Sequence, residues 1–322
     1  MNVALIGSVS SSYHALAALM RGGVEITCVL GLDESRADAV SDYHSLRELA
    51  GSAGLPFLAF TRIGDAHVEH FLRMHTPDLL WVIGLAQMVP DRLICMARHG
   101  GVGFHPTMLP HGRGRAPVAW TILKGEPAAV NLFFLTDEPD AGDIIVQREV
   151  PVLPHDYSED LIERTNKLLA EAITDLVPAI KAGELPRTPQ DHSKATYYPK
   201  RTPADGLIHW SNSSDAIYRL VRAAGRPYPG AFSHLGERKI TIWRALPARP
   251  GDLGPGPPDG PVGVILAADP HAGALVRTGD GGLWLTELQM ERDEESGPAD
   301  TLRVGDRLGS ADRSAHDEGL PT

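Results

Sequence analysis

Short apolar runs alternate with helix-patterned stretches through the first half of this chain, and that alternation limits the fold more than any other feature. Val3–Ile6 is a run of four apolar residues that ends at Gly7. A capped helix pattern follows from Ser10–Ser12 through Leu19, then a second strand pattern at Glu25–Leu30. The rhythm continues with a helix near Ser45–Ala53, a strand at Leu79–Ile83, a helix near Asp91–Arg98 and a strand at Gly101–His105. Strands separated by crossover helices pair in parallel, so residues 1–185 are expected to form an α/β domain with a doubly wound, mostly parallel sheet.

A long amphipathic stretch, Ser158–Lys181, closes that domain, with Ser158 as cap and Gly183 placed to end the helix. Residues 186–204 are polar and punctuated by proline, and are expected to be a linker. Beyond it, residues 205–291 carry an apolar run at Leu207–Trp210, a helix pattern at Ser213–Ala224 and strand-like runs at Lys239–Ala245, Val262–Leu266, Ala274–Thr278 and Leu283–Gln289. A small β-rich domain closed as an OB-like barrel is the simplest solution. The stretch Pro247–Pro261 is dense in Pro and Gly and reads as a surface loop, while residues 292–322 read as a polar tail, with the final dozen disordered.

Composition narrows the function. The chain has 322 residues, enough for two cores. Its start, MNVALIGSVSS, passes directly into a strand without the pattern of a secretory signal, and no apolar run reaches the roughly 20 residues that cross a bilayer. A cytoplasmic protein without a membrane partner is expected. Cys28 and Cys95 lie far apart in apolar segments and are expected to be buried, reduced thiols, not a disulfide or a metal site. A formal net charge of -11 opposes binding along a polyphosphate backbone, so nucleic acid is not the expected partner.

In doubly wound sheets, ligands bind beyond the carboxyl ends of the strands. The serine-rich loop after the first strand, GSVSSS, lacks the three-glycine spacing of a dinucleotide fingerprint. The segment Gly101–Trp120, GVGFHPTMLPHGRGRAPVAW, is richer: a strand delivers His105 into an irregular loop that also holds His111, Arg113 and Arg115. Some 35 residues on, TDEPDAGDI places Asp140 before Ala141 and Gly142. If the two loops meet, the carboxylate can hydrogen-bond the imidazole and set its tautomer; on spacing alone, a histidine that only caps its loop is the favoured reading. His67 and His70 share one helix face and read as a surface pair, and no metal is expected. Tyr197–Arg201, YYPKR, offers stacking surface and charge that suit a nucleotide, or simply straps the linker down.

The segment around His105, with Thr107, Leu109, Pro110, Arg113 and Gly114, resembles the signature of the folate-dependent formyltransferases. GLAQMVP at Gly84–Pro90 resembles the folate-pocket loop of that family, and EPDAGDII at Glu138–Ile145 its catalytic-aspartate loop. Asp205–Phe232 and Gly279–Gln289 are similar to the C-terminal domain of Met-tRNA and sugar-nucleotide formyltransferases, so the resemblance spans roughly residues 1–290. It implies 10-formyltetrahydrofolate as formyl donor and an amine as acceptor. It implies, too, that His105 relays a proton from the amine towards N10 of the folate and that Asp140 holds and tunes it. Leu85, Ala86, Gln87 and Met88, together with Thr136, Asp137, Glu138, Pro139 and Asp140, would form the pterin pocket, with Arg115 beside the folate. Thr107, Arg113, Tyr197 and Arg201 are the candidate substrate contacts. The departure is Gly103, where the family usually has an asparagine that donates to the developing oxyanion; losing such a donor costs on the order of 100 to 1,000-fold in rate unless another group replaces it.

The acceptor is read from Gly31–Leu46. GLDESRADAVSDYHSL is net acidic where a tRNA-binding relative carries a basic insertion, and its SDYHSL portion resembles formyltransferases of nucleotide-linked amino sugars. A nucleotide-linked amino sugar is the expected acceptor, with a hydroxyornithine-like amine, Met-tRNA, or a folate- or sugar-binding protein without catalysis as alternatives. The oligomeric state stays open, a homodimer included.

Overall fold

The computed structural model describes residues 1–253, 260–269, 271–291 and 302–309. The chain divides into two compact units, 1–200 and 201–322.

The first unit is built in the order β1 (Val3–Gly7), α1 (Ser10–Arg21), β2 (Ile26–Leu32), α2 (Arg47–Ser52), β3 (Phe57–Phe60), α3 (Ala66–His75), β4 (Leu79–Ile83), α4 (Asp91–Ile94) and β5 (Gly101–His105). It continues through β6 (Arg113–Gly114), α5 (Pro117–Lys124), β7 (Ala128–Phe134), β8 (Ile144–Val150), α6 (Ser158–Ala182) and β9 (Tyr197–Tyr198). Seven strands form one sheet in the order β3-β2-β1-β4-β5-β7-β8. The five from β3 to β5 are parallel, as the alternating pattern requires, but β7 and β8 run antiparallel to their neighbours. The sheet is therefore mixed. Strand β7 reads as seven consecutive buried residues, AAVNLFF, because both of its faces are covered.

After β1 the chain builds outward to β2 and β3, then crosses back to lay β4 on the other side of β1. The strand order reverses there, over the carboxyl ends of β1 and β4, where such folds place their ligands. The serine run explains itself there: the Ser12 hydroxyl accepts from the Ser8 N–H at 3.0 Å and donates to the Ile83 carbonyl at 2.5 Å, and Ser8 Oγ donates to the Gly84 carbonyl at 2.9 Å. A Cβ on Gly7 would stand 2.2 Å from Ser12 Oγ, so only glycine admits this closure.

On one side of the sheet Ala4, Ile6, Cys28, Leu30, Val68, Leu72 and Leu93 form a continuous apolar core with β2, α3 and α4. Burial pushes the Cys28 thiol up to about 11, which leaves it unreactive at neutral pH. Cys95, expected to be buried, is exposed, because α4 ends at Ile94 and turns it outward, four residues short of the expected Arg98. Helix α6 packs against α1, and its cap is Tyr157, not Ser158: the Asp160 carboxylate accepts from the Tyr157 N–H at 2.8 Å. Gly183 ends it in the left-handed conformation.

Residues 186–200, expected as linker, belong to the first unit. They return across it so that Tyr197 and Tyr198 pair in parallel with Arg113 and Gly114.

The second unit holds α7 (Ser214–Ala224), β10 (Ala231–Leu235), β11 (Arg238–Pro247), β12 (Ile265–Asp269), β13 (Gly273–Arg277) and β14 (Gly282–Met290). Its five strands form an antiparallel sheet in the order β10-β11-β14-β13-β12. Residues 302–309, expected in the polar tail, instead bridge both edges: Gly309 pairs with His234 of β10 and Arg307 with Val264 before β12. Leu302 and Leu308 are buried in doing so. Two leucines spaced six apart in a polar stretch carry too little periodicity to announce this closure. The rest of the expected tail and residues 254–259 of the Pro/Gly-rich loop lie outside the described residues. Among the described residues no helix is long and apolar enough to cross a membrane.

Candidate active site

His105 ends β5 and is 4% exposed. The sequence placed it where a strand enters an irregular loop; the structure buries it there, with both ring nitrogens aimed at protein groups. Nε2 lies 2.8 Å from the carbonyl oxygen of Gly112. A carbonyl only accepts, so Nε2 carries the proton in that bond. Nδ1 is left facing Asp140, 3.5 Å from Oδ2. The two loops singled out in the sequence therefore meet.

Each partner is held from behind. Gly112 presents its carbonyl because its own N–H donates to Thr196 Oγ1 at 2.8 Å. Asp140 is one of four non-glycine residues with positive φ (55°) among the described residues, and its carboxylate accepts from the Gly114 N–H at 2.8 Å. A residue kept in the left-handed region needs surrounding contacts to hold it there. Those contacts come from the following segment, where Gly142 sits so close to β7 that a Cβ would stand 1.8 Å from the Phe134 oxygen.

Behind the histidine, Asn131 of β7 lies directly opposite His105 in the ladder and is fully buried. Its amide donates to the carbonyls of His105, at 2.8 Å, and of Thr107, while Gln147 donates to its oxygen at 2.6 Å. Nothing in the local pattern of a buried strand distinguished this asparagine, and the sequence reading missed it.

A cavity of about 400 Å³ opens at the amino end of β5, next to the loop that carries Asp140, with neither His105 nor Asp140 among its walls. Its walls include Gly100, Gly101, Leu135, Thr136, Asp137, Glu138, Ala141, Gly142 and Arg187. Thr136, Asp137 and Glu138 thus face one space; of the other residues grouped with them in the expected pterin pocket, Leu85, Ala86, Gln87, Met88, Pro139 and Asp140 are not among its walls, nor is Arg115. Gln87 is tied to the loop after β3, accepting from the Ile63 N–H at 2.9 Å and donating to the Thr61 carbonyl at 3.0 Å. Met88 and Arg115 are exposed. Along the β5–β7 face the pairs run Gly101 with Leu135, Gly103 with Phe133, and His105 with Asn131. Phe133 thus stands between the cavity and the histidine.

Gly103 is not an open space. A Cβ there would lie 2.8 Å from both Leu135 Cδ2 and Phe133 Cζ, so apolar side chains fill the place of an asparagine.

Arg113 is 0% exposed, and its guanidinium bonds Glu138 and Tyr197 at 3.1 Å, Gln190 at 2.9 Å and His192 at 3.3 Å. It is a buried hub and not a free contact for substrate. Thr107 is likewise buried, its hydroxyl donating to the His111 carbonyl at 2.8 Å. Tyr197 is exposed at the rim, where its hydroxyl and then Arg113 hold the Glu138 carboxyl below the usual range. Arg201 lies in the second unit, donating to the Asp205 carbonyl at 2.8 Å.

The SDYHSL segment packs against the loop after β1: Tyr43 pairs with Val9, and the Asp42 carboxylate accepts from Ser10 Oγ at 2.5 Å. Burial pushes the Asp42 carboxyl up. Among the described residues no group of three or more His, Cys, Asp or Glu is placed to hold a metal ion.

A family model described as formyl transferase matches residues 34–177, and one described as formyl transferase, C-terminal domain, matches residues 200–304. The chain belongs to the formyl transferase family. Solved structures share its fold. HypX from Aquifex aeolicus in complex with tetrahydrofolic acid aligns over 93% of this chain and 46% of its own, at 20% identity and a TM-score of 0.65. WlaRD, a sugar 3N-formyl transferase in the presence of dTDP and 5-N-formyl-THF, aligns over 91% of this chain and 98% of its own, at 14% identity and a TM-score of 0.62. Methionyl-tRNA formyltransferase from Clostridium thermocellum aligns over 76% and 93%, at 18% identity and a TM-score of 0.56. The chain spans about half the length of the HypX structures it matches.

Proposed function

We propose that this protein transfers a formyl group from 10-formyltetrahydrofolate to the amine of a nucleotide-linked amino sugar. One observation carries the reading: the His105 imidazole is set at a strand end, with Nε2 fixed by the Gly112 carbonyl and Nδ1 facing Asp140.

The chemistry asks for such a pair. Amine attack on the formyl carbon forms a C–N bond, pushes charge onto the formyl oxygen and leaves the nitrogen with a proton to lose. With Nε2 committed, Nδ1 is the atom that takes this proton and passes it to N10 as the bond between N10 and the formyl carbon breaks. Asp140 stabilises the ring while it carries the charge. The pterin occupies the cavity along Thr136–Glu138 and Ala141–Gly142. Leu135 and Phe133 cover Gly101 and Gly103, and these two side chains must give way for the one-carbon unit to reach His105. A backbone N–H serves the oxyanion in place of the missing asparagine.

The choice of acceptor rests on the acidic Gly31–Leu46 stretch and on the fold shared with a sugar 3N-formyl transferase crystallised in the presence of dTDP. The test is to supply 10-formyltetrahydrofolate with a panel of amines and follow tetrahydrofolate release. Turnover confined to amino-sugar nucleotides is expected. Turnover on Met-tRNA or on a hydroxyornithine-like amine would overturn the acceptor, and tight folate binding with no turnover on any amine would overturn the enzyme.

A further inference from the structure

The carboxylate of Asp140 is aimed by contacts that none of the residues in the reaction makes, and the residue at their centre is Gln190. It lies in the segment expected to be linker, yet it is 6% exposed. Both hydrogens of its amide are used on the loop that carries Asp140: Nε2 donates to the Asp140 carbonyl at 2.8 Å and to the Gly142 carbonyl at 2.7 Å. Its oxygen accepts from Arg113 Nη2 at 2.9 Å, and Arg113 reaches the same loop a second time through Glu138. Arg113 in turn is one residue from Gly112 and from Gly114, whose carbonyl and N–H bond His105 and Asp140 respectively. One buried glutamine thus links the backbone around both members of the pair.

We propose that Gln190 is a positioning residue for the proposed transfer: its two amide hydrogens hold residues 140–142 in the turn that begins with the left-handed Asp140 and brings its Oδ2 to Nδ1 of His105. Two carbonyls point inward at that turn and need donors; without them the buried oxygens go unsatisfied and the turn relaxes. The proposal rests on the formyl-transfer reading for its kinetic consequence, though its structural content does not.

The discriminating substitution is Gln190→Glu. It preserves size and still accepts from Arg113, but it replaces two donors with an oxygen facing two carbonyls. If Gln190 only completes the shell of Arg113, this variant matches the wild type. If it positions Asp140, kcat falls by about a hundredfold, the size expected of a displacement near 1 Å at a reacting group. The Gly114 amide, which loses its carboxylate acceptor, then exchanges with solvent faster than in the wild type, while Gln190→Met, lacking donor and acceptor alike, behaves no better than Gln190→Glu. Wild-type kcat together with wild-type Gly114 exchange in Gln190→Glu overturns the proposal. Should the variants fail to fold, through-hydrogen-bond NMR coupling between Gln190 Nε2 and the carbonyl carbons of residues 140 and 142 in the unaltered protein decides it; coupling supports the clamp and its absence refutes it. Exchange and coupling are read without turnover, so a protein that transfers no formyl group would sink the functional reading and still report on the clamp.

Discussion

The two sides of β5 are built on different principles. From β3 to β5 the sheet is parallel and held by apolar burial, with Ile6, Leu30, Val68 and Leu72 in one cluster. From β5 to β8 it is antiparallel, and its lining is held by directional bonds among Asn131, Gln147, Arg113 and Gln190 and by close approach at glycines. Apolar packing tolerates small errors of shape; a bonded network under a low local dielectric does not. His105 sits at the seam, with a rigid strand behind it and the network in front. Catalytic geometry can then be set by polar contacts without charging the whole core with their cost.

The contrast can be broken at several points. The largest expected effect is at the seam: His105→Ala lowers kcat for formyl transfer by about a hundred- to ten-thousand-fold, the range of general acid–base catalysis, with the circular dichroism spectrum unchanged. Asp140→Asn keeps an oxygen for the Gly114 N–H and gives a smaller loss in the same assay. On the network side, Gly142→Ala is expected to cost about 3 kcal/mol in chemical denaturation, at the upper end of overpacking, because Phe134 backbone and not a movable side chain blocks the methyl group. Gly103→Asn costs about 2 kcal/mol for the same kind of reason, but its obstacles are side-chain tips, so adding Leu135→Ala should restore part of that loss. The smallest effect is expected on the parallel side, where Ile6→Val costs about 1 kcal/mol and leaves kcat unchanged. A network that proved as forgiving as the parallel half would erase the distinction.

What could be read from the sequence follows the same division. The strands Leu79–Ile83 and Gly101–His105 match their apolar runs residue for residue, since apolar burial writes itself into periodicity. The meeting of His105 and Asp140 was legible only through the family resemblance, since spacing alone left open a histidine that merely caps its loop. The antiparallel direction of β7 was not: its seven buried residues look the same in either sense, and only the loops that precede and follow it decide. Gln190 and Asn131 were invisible for a different reason. A buried amide is chosen by carbonyls that tertiary structure alone brings together, and no neighbour in the sequence marks it. Arg113 was seen but misassigned, since its charge suggested an anionic ligand where its 0% exposure shows an internal partner.

Transfer of an isotopically labelled formyl group from 10-formyltetrahydrofolate to an amino-sugar nucleotide, measured in a single turnover for the wild type and for His105→Ala, reaches the central claim most directly. Labelled N-formyl product from the wild type, and its near-complete loss in the variant while the donor still binds, is the expected result. Label appearing on the sugar at equal rates with and without the imidazole would contradict it.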